Sequence, residues 1–177
     1  ISARGNGKLM FRLRTENNKR MLGFRDSSGQ YSYESFPIDG NNPEKGKPFY
    51  DSTNIEVLPL GTAGILLVNR WGWAYRDSST QNWVFKKPVS GEATFQISNI
   101  AGVCIDSGDN LWLNKEDGIC SINIRTGKVV NYIHDPKNPH SILSFDSPQD
   151  GTIYIDRQGV LWCTRFSQGI SRLNLFE

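Results

Sequence analysis

Helical patterning is what this sequence most conspicuously lacks. No long stretch places apolar residues at i, i+3, i+4 and i+7, so no amphipathic helix of ordinary length is expected. No apolar run approaches the roughly 18–20 residues of a membrane-spanning helix, so no such span is expected in this segment. Histidine is confined to His134 and His140, both in one Pro/Asn-rich loop. That leaves little material for a zinc enzyme or a Ser-His-Asp hydrolase. The three cysteines, Cys104, Cys120 and Cys163, form neither an even disulfide framework nor a C-x-x-C pair. Each sits in an apolar run and reads as a small buried hydrophobe, although an oxidising compartment would permit a Cys104–Cys120 bridge. The net charge of +2 gives no basic surplus of the kind nucleic acid requires. Neither a cofactor nor a metal is expected.

What is present is turn chemistry between short apolar runs. The 177 residues include 17 glycines and 8 prolines, with 37% hydrophobic and 21% charged residues. This is globular composition with enough chain for a sizeable core. Runs rich in Val, Ile, Leu and aromatics are broken every eight to twelve residues by Gly, Asn, Asp, Ser or Pro, as in an all-β sandwich, barrel or propeller. The chain begins at Ile1 without Met or signal peptide and reads as a piece of a longer protein.

A repeat chooses among the all-β folds. Asp156 to Trp162 and Asp106 to Trp112 are both steps of six, and Gly169 to Asn174 and Gly118 to Asn123 are both steps of five. Gly64-Ile-Leu-Leu67 and Gly72–Asp77 extend the pattern backwards, with Leu67 in the Trp place, and Gly7–Met10 extends it again with Met10 there. Between the hairpins, Phe36-Pro-Ile-Asp39 followed by Asn42-Pro43 matches Tyr132-Ile-His-Asp135 followed by Asn138-Pro139. The aromatics at 36, 85 and 132 lie 49 and 47 residues apart. A period of that length with four strands per unit predicts β-propeller blades of four antiparallel strands. The units fall at about residues 1–50, 51–96, 97–147 and 148–177, contributing three, four, four and three strands. Fourteen strands make about three and a half blades, an open arc of a larger propeller, because an isolated arc leaves unpaired edges and a bare blade face.

The run I-D-S-G-D-N-L-W-L-N-K-E-D-G-I-C-S-I-N-I-R-T-G-K-V-V-N-Y-I-H-D-P-K-N-P-H-S-I-L-S resembles the two-component regulator propeller repeat. The match is close over residues 106–177 and weaker over 1–105, where Met10 and Leu67 take the Trp place; in the closer half, Asp109 stands where the family prefers Gly. The resemblance implies a periplasmic sensor region, the extracytoplasmic part of an inner-membrane hybrid histidine kinase of the Bacteroides type. Such systems sense oligosaccharides and switch on polysaccharide-utilisation genes. The implied partners are an oligosaccharide ligand and a second copy of the full ectodomain, with no nucleic acid and no membrane in this segment.

Most motif residues read as scaffold. Trp112 and Trp162 are expected to pack between blades, and Asp106 and Asp156 to cap the turn between strands a and b. The glycines Gly72, Gly118 and Gly169 are expected to permit tight backbone at the start of strand c. A sialidase Asp-box does not fit, because Asp156 to Gly159 is a step of three and no Ser precedes at the right offset.

Ligand contacts in propellers collect on the d–a and b–c loops. The b–c loops supply candidate ligand-binding positions: Arg70, Trp71, Lys115, Glu116, Arg165 and Phe166. Trp71 and Phe166 could stack on pyranose faces, and Arg70 and Arg165, expected at related places on neighbouring blades, could pair with carboxylate or sulfate. The bland alternative is ordinary solvated loop charge. For catalysis, Glu116, Asp117 and Asp135 are the carboxylates by loop position, and His134 or His140 the bases for a lyase. Their spacing supports neither, so no catalytic residue is assigned. A propeller serving dimerisation or a protein partner is the alternative to the sensor, with a glycan lyase or hydrolase third.

Overall fold

In the computed structural model, residues 2–5, 8–14, 20–36, 56–60, 64–69, 72–76, 80–86, 102–115, 118–143, 151–165 and 169–175 are described. They contain no helix. The strands are β1 (Ser2–Gly5), β2 (Lys8–Arg14), β3 (Arg20–Arg25) and β4 (Tyr31–Ser35) in a first sheet, and β5 (Glu56–Leu60), β6 (Gly64–Asn69), β7 (Gly72–Arg76) and β8 (Trp83–Lys86) in a second. A third sheet holds β9 (Val103–Ile105), β10 (Asn110–Lys115), β11 (Gly118–Asn123) and β12 (Val129–Ile133). A fourth holds β13 (Ile153–Ile155), β14 (Val160–Arg165) and β15 (Gly169–Asn174). Every sheet is an antiparallel meander in chain order, which short turn-punctuated runs produce when each strand pairs with its sequence neighbour.

The all-β architecture of antiparallel sheets matches the sequence reading, with one correction. Ser2–Gly5 pairs with Lys8–Phe11 and supplies the strand a that the first unit was expected to lack. The described strands therefore number fifteen, grouped four, four, four and three. Strand a was missed because S-A-R-G carries neither a β-branched residue nor an apolar alternation.

The chain divides into two compact units, Ile1–Lys86 and Lys87–Glu177. In the first, Leu22 and Phe36 pack with Val57, Ile65, Leu67 and Ala74, flanked by Phe24, Trp83 and Phe85. In the second, Trp112 and Ile119 of the third sheet pack with Ile153, Leu161 and Cys163 of the fourth. Tyr132, Ile155 and Leu173 close around them. Each unit is thus two sheets stacked face to face, and each fully buried aliphatic side chain there contributes roughly 1.5–3 kcal/mol.

Hairpin register corrects the repeat alignment. Trp112 pairs with Ser121 and Trp162 with Arg172, each three residues after the glycine that opens strand c. In the second sheet the residue paired three places after Gly72 is Leu66, opposite Tyr75. Leu66, not Leu67, occupies the Trp place. Leu67 lies on the other face, where it packs toward the first sheet. Three adjacent apolar residues, Ile65-Leu66-Leu67, cannot reveal their own phase, because a shift of one residue leaves an apolar side chain on both faces.

Candidate functional site

The repeated Asp and Trp form one hydrogen-bonded device. Asp106 Oδ1 accepts the backbone N–H groups of Gly108 at 2.8 Å and Asn110 at 2.9 Å. Its Oδ2 accepts the Trp112 indole N–H at 2.8 Å. Asp156 repeats this with Gln158 at 2.9 Å, Val160 at 2.9 Å and the Trp162 indole at 2.8 Å. One carboxylate oxygen closes the turn and the other satisfies a donor on the next strand, which explains the fixed step of six. Those bonds, the indole's foremost, hold the Asp156 carboxyl below the usual carboxylate range.

The fourth turn residue has positive φ in both copies, +76° at Gly159 and +61° at Asp109. Asp109 stands where glycine would be unstrained, and its carboxylate takes a 2.9 Å ion pair from Arg125. The same turn appears a third time in a place the repeat does not predict. Asp26 Oδ1 accepts from the Ser28 and Gln30 N–H groups at 2.9 Å each, and Gly29 has φ +87°. Here the turn joins strands c and d of the first sheet and no indole follows. The Ser28 hydroxyl donates to the same oxygen at 2.6 Å, and this bond is the main cause that keeps the Asp26 carboxyl low.

Glycine at the opening of strand c has a steric reason in the third sheet. A Cβ on Gly118 would collide with the carbonyl oxygen of Tyr132 on the paired strand. The expectation of tight backbone there holds.

The described part of the third unit's d–a loop, His134–Leu143, is stapled by its own side chains, and the Leu143 N–H donates to Ser171 Oγ of the fourth sheet at 3.0 Å. Asp135 Oδ1 accepts the Lys137 N–H and Asn138 Oδ1 the His140 N–H, both at 2.9 Å. Ser141 Oγ receives the Asp135 N–H at 3.0 Å and donates to the Asp135 carbonyl at 2.9 Å. His134 Nδ1 lies 2.6 Å from the Ile142 carbonyl, which can only accept, so that nitrogen carries the proton. His134 and Asp135 therefore both take part in holding the loop.

The three cysteines are unbridged, and the sheet register excludes the Cys104–Cys120 bridge. Cys104 is registered with Trp112, while Cys120 is registered with Leu113 on the opposite face. Cys104 instead lies near Cys163 of the fourth sheet. Burial, and the second thiol beside it, push Cys104 up to about 12, and burial alone takes Cys163 up to about 12. These are packing thiols.

Of the six candidate ligand positions, Arg70, Trp71, Glu116 and Phe166 lie outside the described residues. Lys115 and Arg165 were expected in loops but end strands β10 and β14, paired with Gly118 and Gly169. They are equivalent to each other and to Asn69, which pairs with Gly72. Arg165 is thus related to Asn69 rather than to Arg70, correcting the expected Arg70–Arg165 correspondence. Counting from Trp misplaced Arg70 because the Trp place itself was one residue out.

Two features of this region were not legible in the sequence. Asn114, next to Lys115, buries both amide atoms without a hydrogen-bond partner. Such a group costs about 1–3 kcal/mol per lost bond and invites a water or ligand. At the other end of the third and fourth sheets a cleft of about 520 Å³ is lined by Asp106, Asn110, Trp112, Ser121, Asn123, Lys128, Tyr132 and Leu173 among others. Most of its polar groups are already used internally. Asn110 donates to Asp106, and Asn123 donates to Gly108 and Asn110 while accepting from Arg125 and Thr126. The cleft is therefore chiefly an exposed edge of scaffold. Among the described residues no group of three His, Cys, Asp or Glu side chains could hold a metal ion.

No protein-family model matches the sequence, and no curated protein matches it. Solved structures do match its fold. Two crystal structures of the extracellular domain of BT4673 from B. thetaiotaomicron superimpose with TM-scores of 0.55 and 0.54 at 16% and 15% identity. One describes that protein as a one-component system and the other as a hybrid two-component system. Each likeness covers 97% of this chain and 26% of the matched one. The chain spans about a quarter of the length of these neighbours and has the fold of that part of the BT4673 extracellular domain.

Proposed function

We propose that this chain is a section of an extracytoplasmic sensor propeller that binds an oligosaccharide and signals to a two-component kinase. The observation that carries the reading is the agreement of two independent likenesses. The sequence motif of residues 106–177 resembles the two-component regulator repeat, and the fold over nearly the whole chain matches the extracellular domain of BT4673. On this reading the sheets belong to a larger propeller in a periplasmic ectodomain that acts as a homodimer, and the signal passes as a shift between two arrangements of its parts. The b–c end is the ligand side. Lys115 and Arg165 hold equivalent register positions at the ends of β10 and β14, and Asn114, whose buried amide is unsatisfied, precedes Lys115 in the chain. Cations at regular spacing suit an acidic or sulfated sugar, whose carboxylate or sulfate pairs with Lys and Arg.

Calorimetric titration of the full ectodomain with neutral, uronic-acid and sulfated oligosaccharides tests this. The expected result is saturable binding of an anionic sugar, weakened by Lys115→Ala with Arg165→Ala. No heat and no rise in Tm with any sugar class would sink the reading, because a ligand that binds only the native state must stabilise it.

A further inference from the structure

The two faces of the first sheet differ. One carries Leu22 and Phe24, packs on the second sheet, and extends Glu34 to an ion pair of 2.7 Å with Arg76. The other carries Arg25, Tyr31 and Tyr33, and the two tyrosines are 56% and 52% exposed. In the second sheet the residues registered like these are Arg76, Trp83 and Phe85. The likeness extends to geometry. Arg25 lies 5.6 Å over the Tyr31 ring, and Arg76 lies 5.0 Å over the Trp83 ring. In the second sheet this arginine–aromatic face is covered by the first sheet, and the arginine meets a carboxylate.

We infer that the Arg25–Tyr31–Tyr33 face is the docking surface for a further sheet of the same four-stranded type, supplied by the parent polypeptide. That sheet presents an aliphatic–aromatic pair to the tyrosines and a carboxylate to Arg25, at the place Glu34 holds in the first sheet. The inference rests on the reading of this chain as part of a larger propeller. Charge and shape identify the occupant. An arginine fixed over an aromatic ring offers its outer N–H groups to a carboxylate, and two large rings beside it lose exposed apolar area only against an apolar face.

The test uses the parent polypeptide, in which tyrosine nitration is followed by peptide mapping. Tyr31 and Tyr33 are expected to react as slowly as the buried Tyr75 and to become reactive only on unfolding. Arg25→Glu is expected to lower Tm by roughly 2–4 °C, with the deficit shrinking in high salt, and Arg25→Lys to lower it less. Nitration of Tyr31 and Tyr33 at the rate of unfolded tyrosine overturns the inference. So does an Arg25→Glu protein with unchanged Tm, or a deficit that salt leaves untouched. Fast nitration that an added oligosaccharide slows would place a ligand on this face and overturn it too. None of these outcomes depends on whether the b–c end binds sugar, so the titration above fails or succeeds separately.

Discussion

The two compact units solve one packing problem with different chemistry. In the second unit, each strand-b Trp is tied to the Asp six residues earlier, so the sheets are built around a carboxylate–indole bond. In the first unit, the second sheet has Leu60 and Leu66 at those two places, 6% and 0% exposed. Both members of the pair are leucine there. A buried indole N–H without its carboxylate would be an unpaid hydrogen bond, and a carboxylate without its indole would be a charge beside an apolar core. The first unit gains polar fixation elsewhere, from the Arg76–Glu34 pair between its sheets. The motif is therefore one solution to closing a turn onto a core, and the second sheet uses an apolar one.

Transplanting one solution into the other unit gives the largest expected effect. Asp106→Leu alone leaves the Trp112 N–H unsatisfied and unties the turn, and Trp112→Leu alone leaves a cavity, so each should cost about 2–5 kcal/mol in denaturant unfolding. The double change, which copies Leu60 and Leu66, should cost less than the sum by about 1.5–3 kcal/mol. Strict additivity would show that the bond does not couple the two residues.

The interface of the first unit should respond to salt and that of the second should not. Glu34→Gln, at a side chain about one-third exposed, is expected to cost roughly 0.5–1 kcal/mol at low salt. The loss should shrink in 1 M salt. An undiminished loss would assign the effect to packing of the Arg76 stem on Trp83 instead.

Acid sharpens the same contrast. The folded Asp156 carboxyl lies below the value of 3.8 that it regains on unfolding. Its contribution is thus present above about pH 3.8 and lost as pH falls through the lower folded value. Trp162→Phe removes the main cause of the shift, so NMR titration of Asp156 in that variant should move back toward 3.8. An unmoved titration would mean that the turn N–H groups alone hold it.

The smallest effect is expected at Asp109. Asp109→Gly relieves a φ of +61° but loses the exposed Arg125 pair, and the net should be a gain of a few tenths of a kcal/mol. A loss in thermal unfolding would show that the ion pair outweighs the strain.

Legibility followed locality. The Asp–Trp device was visible as a spacing because both partners lie within one hairpin, yet the indole bond itself was not foreseen. The d–a loop was visible as D-P-x-N-P for the same reason. Leu66 was misassigned because a fully buried strand has no alternation to set its phase, and β1 was missed because its residues carry no strand preference. Arg76–Glu34 was invisible because the partners lie 42 residues apart on different sheets. Lys115 and Arg165 were placed in loops because strands β10 and β14 continue past the last apolar residue, held by backbone pairing that side-chain patterning does not report.

The sequence alone determined the all-β meander, the turn carboxylates and the strand-b tryptophans. Those features arise from period-two patterning and from hydrogen bonds spanning a few residues, both of which are written along the chain. Only the tertiary structure decided which face of each strand is covered, that Cys104 neighbours Cys163 rather than Cys120, and that Glu34 reaches Arg76. Face-to-face packing joins residues far apart in sequence, and its outcome depends on complementary surfaces that neither partner encodes by itself.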